Sequence, residues 1–328
     1  MSALSIAPML LRSARELPEG EDWAVEPKWD GFRCLAHLGE DTRLLSRRGK
    51  DLSPFLPELG RLHRSVPTPV VLDAELVAVR EGAPSLGALR RRVFSGRRPE
   101  PEVTVMLVAF DLLVLGGRDV TGLPYERRRR ILEGLGIEGP GMQLTLSCPS
   151  WEGPALFAAT RDQGLEGVVA KRLGSPYRPG VRSRDWVKVK HFHTEQFAVG
   201  GWLPDTDGGL QAILLGRRVQ EDLVYAGAVQ YGFSRPDLQR QLEPLSVPAP
   251  VLIGGPRTAR QARPEIGVRV RYQSLTEDGR VRGATVIGVA RFDIGSGGRR
   301  HRSASGRRGD ASPPVGTPRL ARAPTGIG

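Results

Sequence analysis

The stretch Glu26-Pro27-Lys28-Trp29-Asp30-Gly31-Phe32-Arg33 sets a lysine two residues before an acid and three before a glycine, with an arginine close behind. A lysine amine so placed can attack the α-phosphate of a nucleotide and carry it as a nucleotidyl-lysine, provided that the amine is free and cations neutralise the phosphates. With an ordinary pKa near 10.4, only about one amine in 2,500 is free at pH 7, a cost of about 4.6 kcal/mol. Nearby cations depress a lysine pKa and lone carboxylates raise it, so acids in such a site are better explained as ligands of a divalent metal. Other charged groups stand out along the chain: Ser46-Arg47-Arg48-Gly49, Asp73 with Glu75, Glu166 with Lys171, and Lys188 with Lys190. Taken singly, each has an ordinary explanation as a turn, a basic hairpin tip, a solvated strand face, a loop acid or a guarded edge strand.

The elements that must position these groups follow from pattern. Residues 33–47 read as a hairpin around Gly39-Glu40-Asp41. Residues 70–77 read as a strand in which Asp73 and Glu75 share one face by the period of two. Ser85 is placed to cap a helix that buries Leu86, Leu89 and Val93, presents Arg90, Arg91 and Arg92 outward, and stops at Gly96. The apolar run 103–115, with Asp111 as its only acid, is expected to be a buried strand. Residues 125–135 read as a basic helix with Ile131, Leu132 and Leu135 inward, and 153–163 as a helix stopped by Gly164. Strands are expected at 166–171 and 185–190; in the second, Trp186, Lys188 and Lys190 face one way while Val187 and Val189 face the other. Glu166 and Lys171 fall on opposite faces of a regular strand, so a bulge or a strand end is required if both reach one site. From about residue 195, five short strands (197–202, 210–216, 223–229, 267–272 and 284–289) suit a small β-barrel of the OB type, with the Pro-rich span 244–256 as a long loop.

Composition bounds the possibilities. The 328 residues carry a net charge of +12, which points to a polyanionic partner such as nucleic acid. Half of that excess lies in residues 294–328, where seven arginines face one aspartate; this stretch lacks the apolar content to fold and is read as a disordered basic tail. Cys34 and Cys148 form no CxxC pair and no disulfide framework, and no apolar run approaches the roughly 20 residues that cross a bilayer. No signal peptide is read at the start, and a cytoplasmic, nucleoid-associated location is expected.

Taken together and in order, the motifs Lys28-Trp29-Asp30-Gly31-Phe32-Arg33, Ser46-Arg47-Arg48-Gly49, Leu72-Asp73-Ala74-Glu75, Phe110-Asp111-Leu112-Leu113, Glu166-Gly167-Val168-Val169-Ala170-Lys171 and Trp186-Val187-Lys188-Val189-Lys190 resemble those of the covalent nucleotidyltransferases, specifically the ATP-dependent DNA ligases. The resemblance covers about residues 7–293 and is nearest to the bacterial ligase C and ligase D branch. It implies an α+β fold: a nucleotidyltransferase (adenylation) domain of antiparallel sheets with helices over residues 1–193, then an OB-fold barrel domain over 194–293. It implies that Lys28 is the nucleophile, with Asp30 beside it, and that Glu26 helps to read adenine while Phe110 stacks on it. Arg33 and Arg47 would hold the ribose and the adenylate or nick region. Glu75 and Glu166 would organise the sugar and a Mg2+ or Mn2+ ion. Lys171, Lys188 and Lys190 would bind the α-phosphate and stabilise the transition state.

The implied cofactors are ATP and that metal, and the implied substrate is nicked or broken duplex DNA, joined by a monomer. The implied pathway is repair by double-strand break joining, beside a Ku-type end-binding partner; these residues hold no polymerase or nuclease module. The end of the barrel departs from the family pattern. Arg282 survives, but Ala290 stands where a second arginine is expected and Arg291 comes one place late, so self-adenylation is expected to be slow or to depend on Arg291. An RNA ligase or a capping-type guanylyltransferase is the rival enzyme reading, and a DNA-end-binding protein without catalysis is the rival of another class. Deletion of residues 294–328 is expected to weaken DNA affinity chiefly at low salt, because the tail would contact phosphates; an unchanged salt slope would refute this.

Overall fold

The computed structural model describes residues 6–94 and 100–291; Gly96 and the basic tail 294–328 lie outside them. Two sheets build the first part of the chain. One is five-stranded: Leu10–Ala14 lies at its edge, followed by Arg182–Lys190, Gly167–Arg172, Trp23–Lys28 and the short Cys148–Pro149. The other is seven-stranded and runs from Thr42–Ser46 through Phe32–Leu38 and Val70–Arg80 to Val103–Leu115, with short strands attached. The expected hairpin is present, with Leu38 opposite Thr42. The sheets are mixed rather than purely antiparallel, since Leu10–Ala14 runs parallel to Arg182–Lys190 and Met142–Leu144 runs parallel to Val103–Leu115. Parallel pairing is available to these two segments because a long crossover separates each from its partner.

Helices cover this pair of sheets. Ser85 Oγ accepts from the Ala88 N–H at 3.1 Å and so caps the helix Leu86–Phe94, which buries Leu89 and Val93. The helix Gly153–Asp162 ends before Gly164 at φ +69°, as its sequence suggests. The basic helix Tyr125–Gly134 buries more than the apolar residues expected inward. Leu132 is buried, but so are Tyr125, Arg128 and Arg129. Arg128 is fully buried and clamps Asp111 with two bonds, Nε to Oδ1 at 2.8 Å and Nη2 to Oδ2 at 2.9 Å. The lone acid of the apolar strand is thereby neutralised.

Residues 193–291 form the second seven-stranded, curled sheet of the OB-fold domain, built on His193–Pro204, Leu210–Val219, Asp222–Val229, Ile266–Tyr272 and Thr285–Arg291. A register shift between Val199 and Gly201 lets the first of these strands pair with three neighbours, which curls the sheet. The sequence reading missed the helix Arg235–Leu242, whose Leu238 and Leu242 plug the barrel behind Pro236. Its signal, a serine before a proline and two leucines four apart, was present but brief. Buried apolar clusters do not mix: the barrel's runs from Phe197 to Val286, and those of the preceding sheets draw only on residues before 190. Among the described residues, no helix is long and apolar enough to cross a membrane.

Breaking a buried ion pair leaves one uncompensated charge. Asp111→Ala should therefore cost about 3–5 kcal/mol in urea unfolding, and the paired change Asp111→Leu with Arg128→Met much less. Equal losses in the two proteins would show that the charges are not coupled.

Candidate active site

Register decides what meets what. Across three adjacent strands Lys28, Gly167 and Lys190 form one row, Glu26, Val169 and Lys188 the next, and Ala24, Lys171 and Trp186 the third. Cross-strand partners share a face, so the cations of two strands converge on the face that carries Lys28. Glu166 precedes the strand, and Gly167 resolves its parity. Gly167 has φ +146°, and a Cβ there would lie 2.1 Å from the Val189 carbonyl oxygen, so only glycine lets the chain turn Glu166 back towards this row. The Glu166 carboxylate then bridges two amines, accepting from Lys28 Nζ at 2.5 Å and from Lys190 Nζ. Burial pushes the Glu166 carboxyl up, but Lys28 and Lys190 outweigh it and hold its pKa below the ordinary range. Burial lowers the Lys188 pKa, and the charges of Lys190 and Lys28 lower it further.

The turn after Lys28 is tied to the other sheet. Gly31 donates its N–H to Glu75 Oε1 at 3.1 Å, and a side chain at Gly31 would collide with the Leu76 carbonyl at 2.0 Å. Burial raises the Glu75 pKa to about 7, against the opposing pull of Lys28, Arg33 and the Gly31 N–H. Asp73 is fully buried rather than on a solvated face. It takes both arms of Arg33, at 2.9 and 2.6 Å, and the Tyr177 hydroxyl at 2.7 Å. Desolvation opposes the Arg33 charge, yet Asp73 holds its pKa above the usual value. The Arg33 guanidinium lies 5.6 Å from the Phe110 ring centre.

Two sequence expectations take a different form. The Lys171 amine, 1% exposed, does not join the Lys28 row; it binds Glu26 Oε2 at 2.8 Å and the Phe110 carbonyl at 2.8 Å, and lies 4.6 Å above the Phe110 ring. Glu26 also accepts from the Tyr125 hydroxyl, so this acid and this lysine neutralise each other in a box of rings. Burial lowers the Lys171 pKa, and Glu26 works against that. Arg47 stays exposed in the turn that follows the hairpin, closed by the Gly49 N–H on the Ser46 carbonyl, and lines no part of the pocket formed by Glu26, Lys28, Arg33, Glu75, Phe110 and Lys171. That pocket is narrow, about 50 Å³, because Lys171 and Arg33 lean over Phe110. Sequence reasoning missed Tyr125 and Tyr177, which it had no pattern to separate from core, and Gln273, whose Oε1 accepts from Lys190 Nζ at 3.0 Å.

The barrel reaches the same place. Arg282 Nη1 donates to Asp30 Oδ2 at 2.8 Å, and the pair lines two cavities, of about 390 and 550 Å³. Ala290 and Arg291 are adjacent on the strand Thr285–Arg291, so their side chains leave opposite faces and Arg291 does not take the place of Ala290. The two larger cavities are lined by neither of them.

The family model described as ATP dependent DNA ligase domain matches residues 8–190, and ATP dependent DNA ligase C terminal region matches 206–293. The chain belongs to the ATP-dependent DNA ligases. The multifunctional non-homologous end joining protein LigD of Mycolicibacterium smegmatis is 35% identical to this ligase over 278 residues, which is 80% of this chain and 35% of that relative. LigD of Mycobacterium bovis is 34% identical over 302 residues, 87% of this chain and 38% of that protein, so the chain spans little more than a third of these curated relatives. Among solved structures, mycobacterial DNA ligase D complexed with ATP and MES matches with 33% identity and a TM-score of 0.54, covering 87% of this chain and 95% of that one. The ligase domain from M. tuberculosis LigD matches with 32% identity, a TM-score of 0.52 and the same coverage. The adenylation and OB-fold domains expected from sequence are those of this family.

The raised pKa of Glu75 gives this ligase a pH signature. Its folded form favours the protonated acid, so this contribution to stability is complete below the ordinary value of 4.5 and is lost as pH rises through about 7. Glu75→Gln removes the titration, so the melting temperature of the variant should gain on the wild type between pH 4.5 and 7. A difference that stays flat across that range would show that Glu75 does not titrate there.

Proposed function

We propose that the chain seals breaks in duplex DNA through a lysyl-adenylate formed on Lys28, and that it does so in double-strand break repair. The observation that carries this reading is the row in which the Glu166 carboxylate links Lys28 to Lys190 beside Lys188. Lys28, having lost a proton to solvent, would form an N–P bond to the α-phosphorus of ATP as the bond to pyrophosphate breaks. A DNA 5′-phosphate oxygen would then displace Lys28 and take the adenylate, and the 3′-hydroxyl would displace AMP to close the strand. In each step charge builds on phosphate oxygens, and fixed cations that need no reorganisation stabilise it best.

The residues divide the work by position. Lys188 and Lys190 would hold the α-phosphate, Asp30 would stand beside the nucleophile, and Arg282 would reach the leaving group from the barrel. Arg33, fixed by Asp73, would meet the ribose, and Phe110 would stack on the base beside Glu26. Lys171 supports Glu26 in this reading rather than gripping a phosphate. Arg47, exposed in the turn after its strand, is suited to a DNA backbone phosphate.

Two carboxylates fit a magnesium or manganese ion. Glu75 is largely withdrawn from water with the Gly31 N–H as its one hydrogen-bond donor among the described residues, so a cation would relieve its desolvation. Glu75 and Glu166 would hold the ion, which would keep waters and take its other ligands from phosphates; no group of three metal-binding side chains exists among the described residues. When bound, the metal supplies neutralisation of phosphate charge.

The likeness to end-joining relatives supports work on broken DNA ends; in this reading the chain would act in the nucleoid as a monomer beside a Ku-type end-binding protein. Incubation with α-labelled ATP and Mg2+ tests the reading. The wild type should take label and Lys28→Ala should not; nicked DNA should be sealed at least tenfold faster than nicked RNA, and ATP should be preferred to GTP. Label on neither protein would leave a DNA-binding protein without catalysis, and a preference for RNA or GTP would favour the rival enzymes.

A further inference from the structure

Among the described residues, the polar contacts that join the barrel to the Lys28 row and to the turn after it come from one short segment. Gln273 bonds Lys190, Arg282 bonds Asp30, and between them the strands Ser274–Leu275 and Val281–Arg282 pair as a hairpin. The turn is closed by Thr276 N to Arg280 O at 2.8 Å and is anchored to the barrel by Arg217, which donates to the Gly279 carbonyl while Glu195 holds its other arms. Residues of the hairpin line both of the larger cavities. At its tip Glu277 accepts from Ser85 Oγ at 2.8 Å and from Arg91 Nη1 at 2.6 Å. Ser85 is the residue that caps the helix Leu86–Phe94, so the tip is seated on a fixed helix end. Gly87 leaves it room: a Cβ there would lie 2.7 Å from Glu277 Oε1. Arg91 has one other acid, Glu100, at 3.4 Å.

We propose that Glu277 is a positioning residue for self-adenylation: its latch on Ser85 and Arg91 holds the hairpin in place, and thereby keeps Arg282 on Asp30 and Gln273 on Lys190. The inference rests on the reading of Lys28 as nucleophile. Glu277 touches no reacting group; it acts through Arg282, which meets Asp30 two residues along the chain from the amine. The barrel and the sheets share no apolar core, so a few polar bonds decide whether the hairpin stays seated. Such exposed pairs are individually weak and screened by salt, which suits a contact that must open for a duplex to enter.

The test separates the two halves of the reaction. Glu277→Gln and Arg91→Glu should each slow label transfer from α-labelled ATP to Lys28 by about fivefold, the size of one or two exposed charged contacts, while closure of a pre-adenylated nick is unchanged. The exchange of both charges, Glu277→Arg with Arg91→Glu, should restore most of the adenylation rate. Unchanged adenylation in the single variants, an equal loss in both assays, or an exchange that restores nothing would each overturn the proposal. If the wild type itself takes no label, the reading of Lys28 fails and this inference fails with it.

Discussion

One carboxylate holding two ammonium groups is the constraint on which the site depends. Lysines brought together on one face repel each other, and burial makes that repulsion worse. Glu166 makes the cluster tolerable, and it can do so only because Gly167 turns the chain where any side chain would strike the neighbouring strand. The cluster thus rests on one glycine and one acid.

Behind the row, a second set of buried charges fixes the approach to it. Asp73 grips Arg33 and Tyr177, Glu26 grips Lys171 and Tyr125, and Asp111 grips Arg128. These pairs are not an efficient source of stability, since desolvation offsets most of the attraction. Their effect is directional: each locks a long side chain into one rotamer, so Arg33 and Lys171 are presented over Phe110 at fixed distances.

Much of this was legible in the sequence because it follows from period and spacing. The hairpin at 32–46, the strand 103–115, the common face of Trp186, Lys188 and Lys190, and the need for a strand end at Glu166 all come from rules that act over a few residues. What escaped depends on partners distant in the chain. Lys171 looks like a phosphate ligand until Glu26 is placed 2.8 Å from it, and Arg128 looks like a surface charge until Asp111 is found beneath it. Arg47 sits in a motif shared with the family, yet hairpin geometry alone does not carry it to the pocket. The helix Arg235–Leu242 was missed because only two leucines mark its inner side.

The separation of apolar interiors has a consequence for how such a protein is made and altered. Every buried apolar residue of the adenylation layers precedes position 190, so the ribosome can release a segment able to consolidate before the barrel has been translated. By the same logic, recombination that exchanges one barrel for another leaves the apolar packing of the sheets intact but must supply new partners for Lys190, Asp30, Ser85 and Arg91.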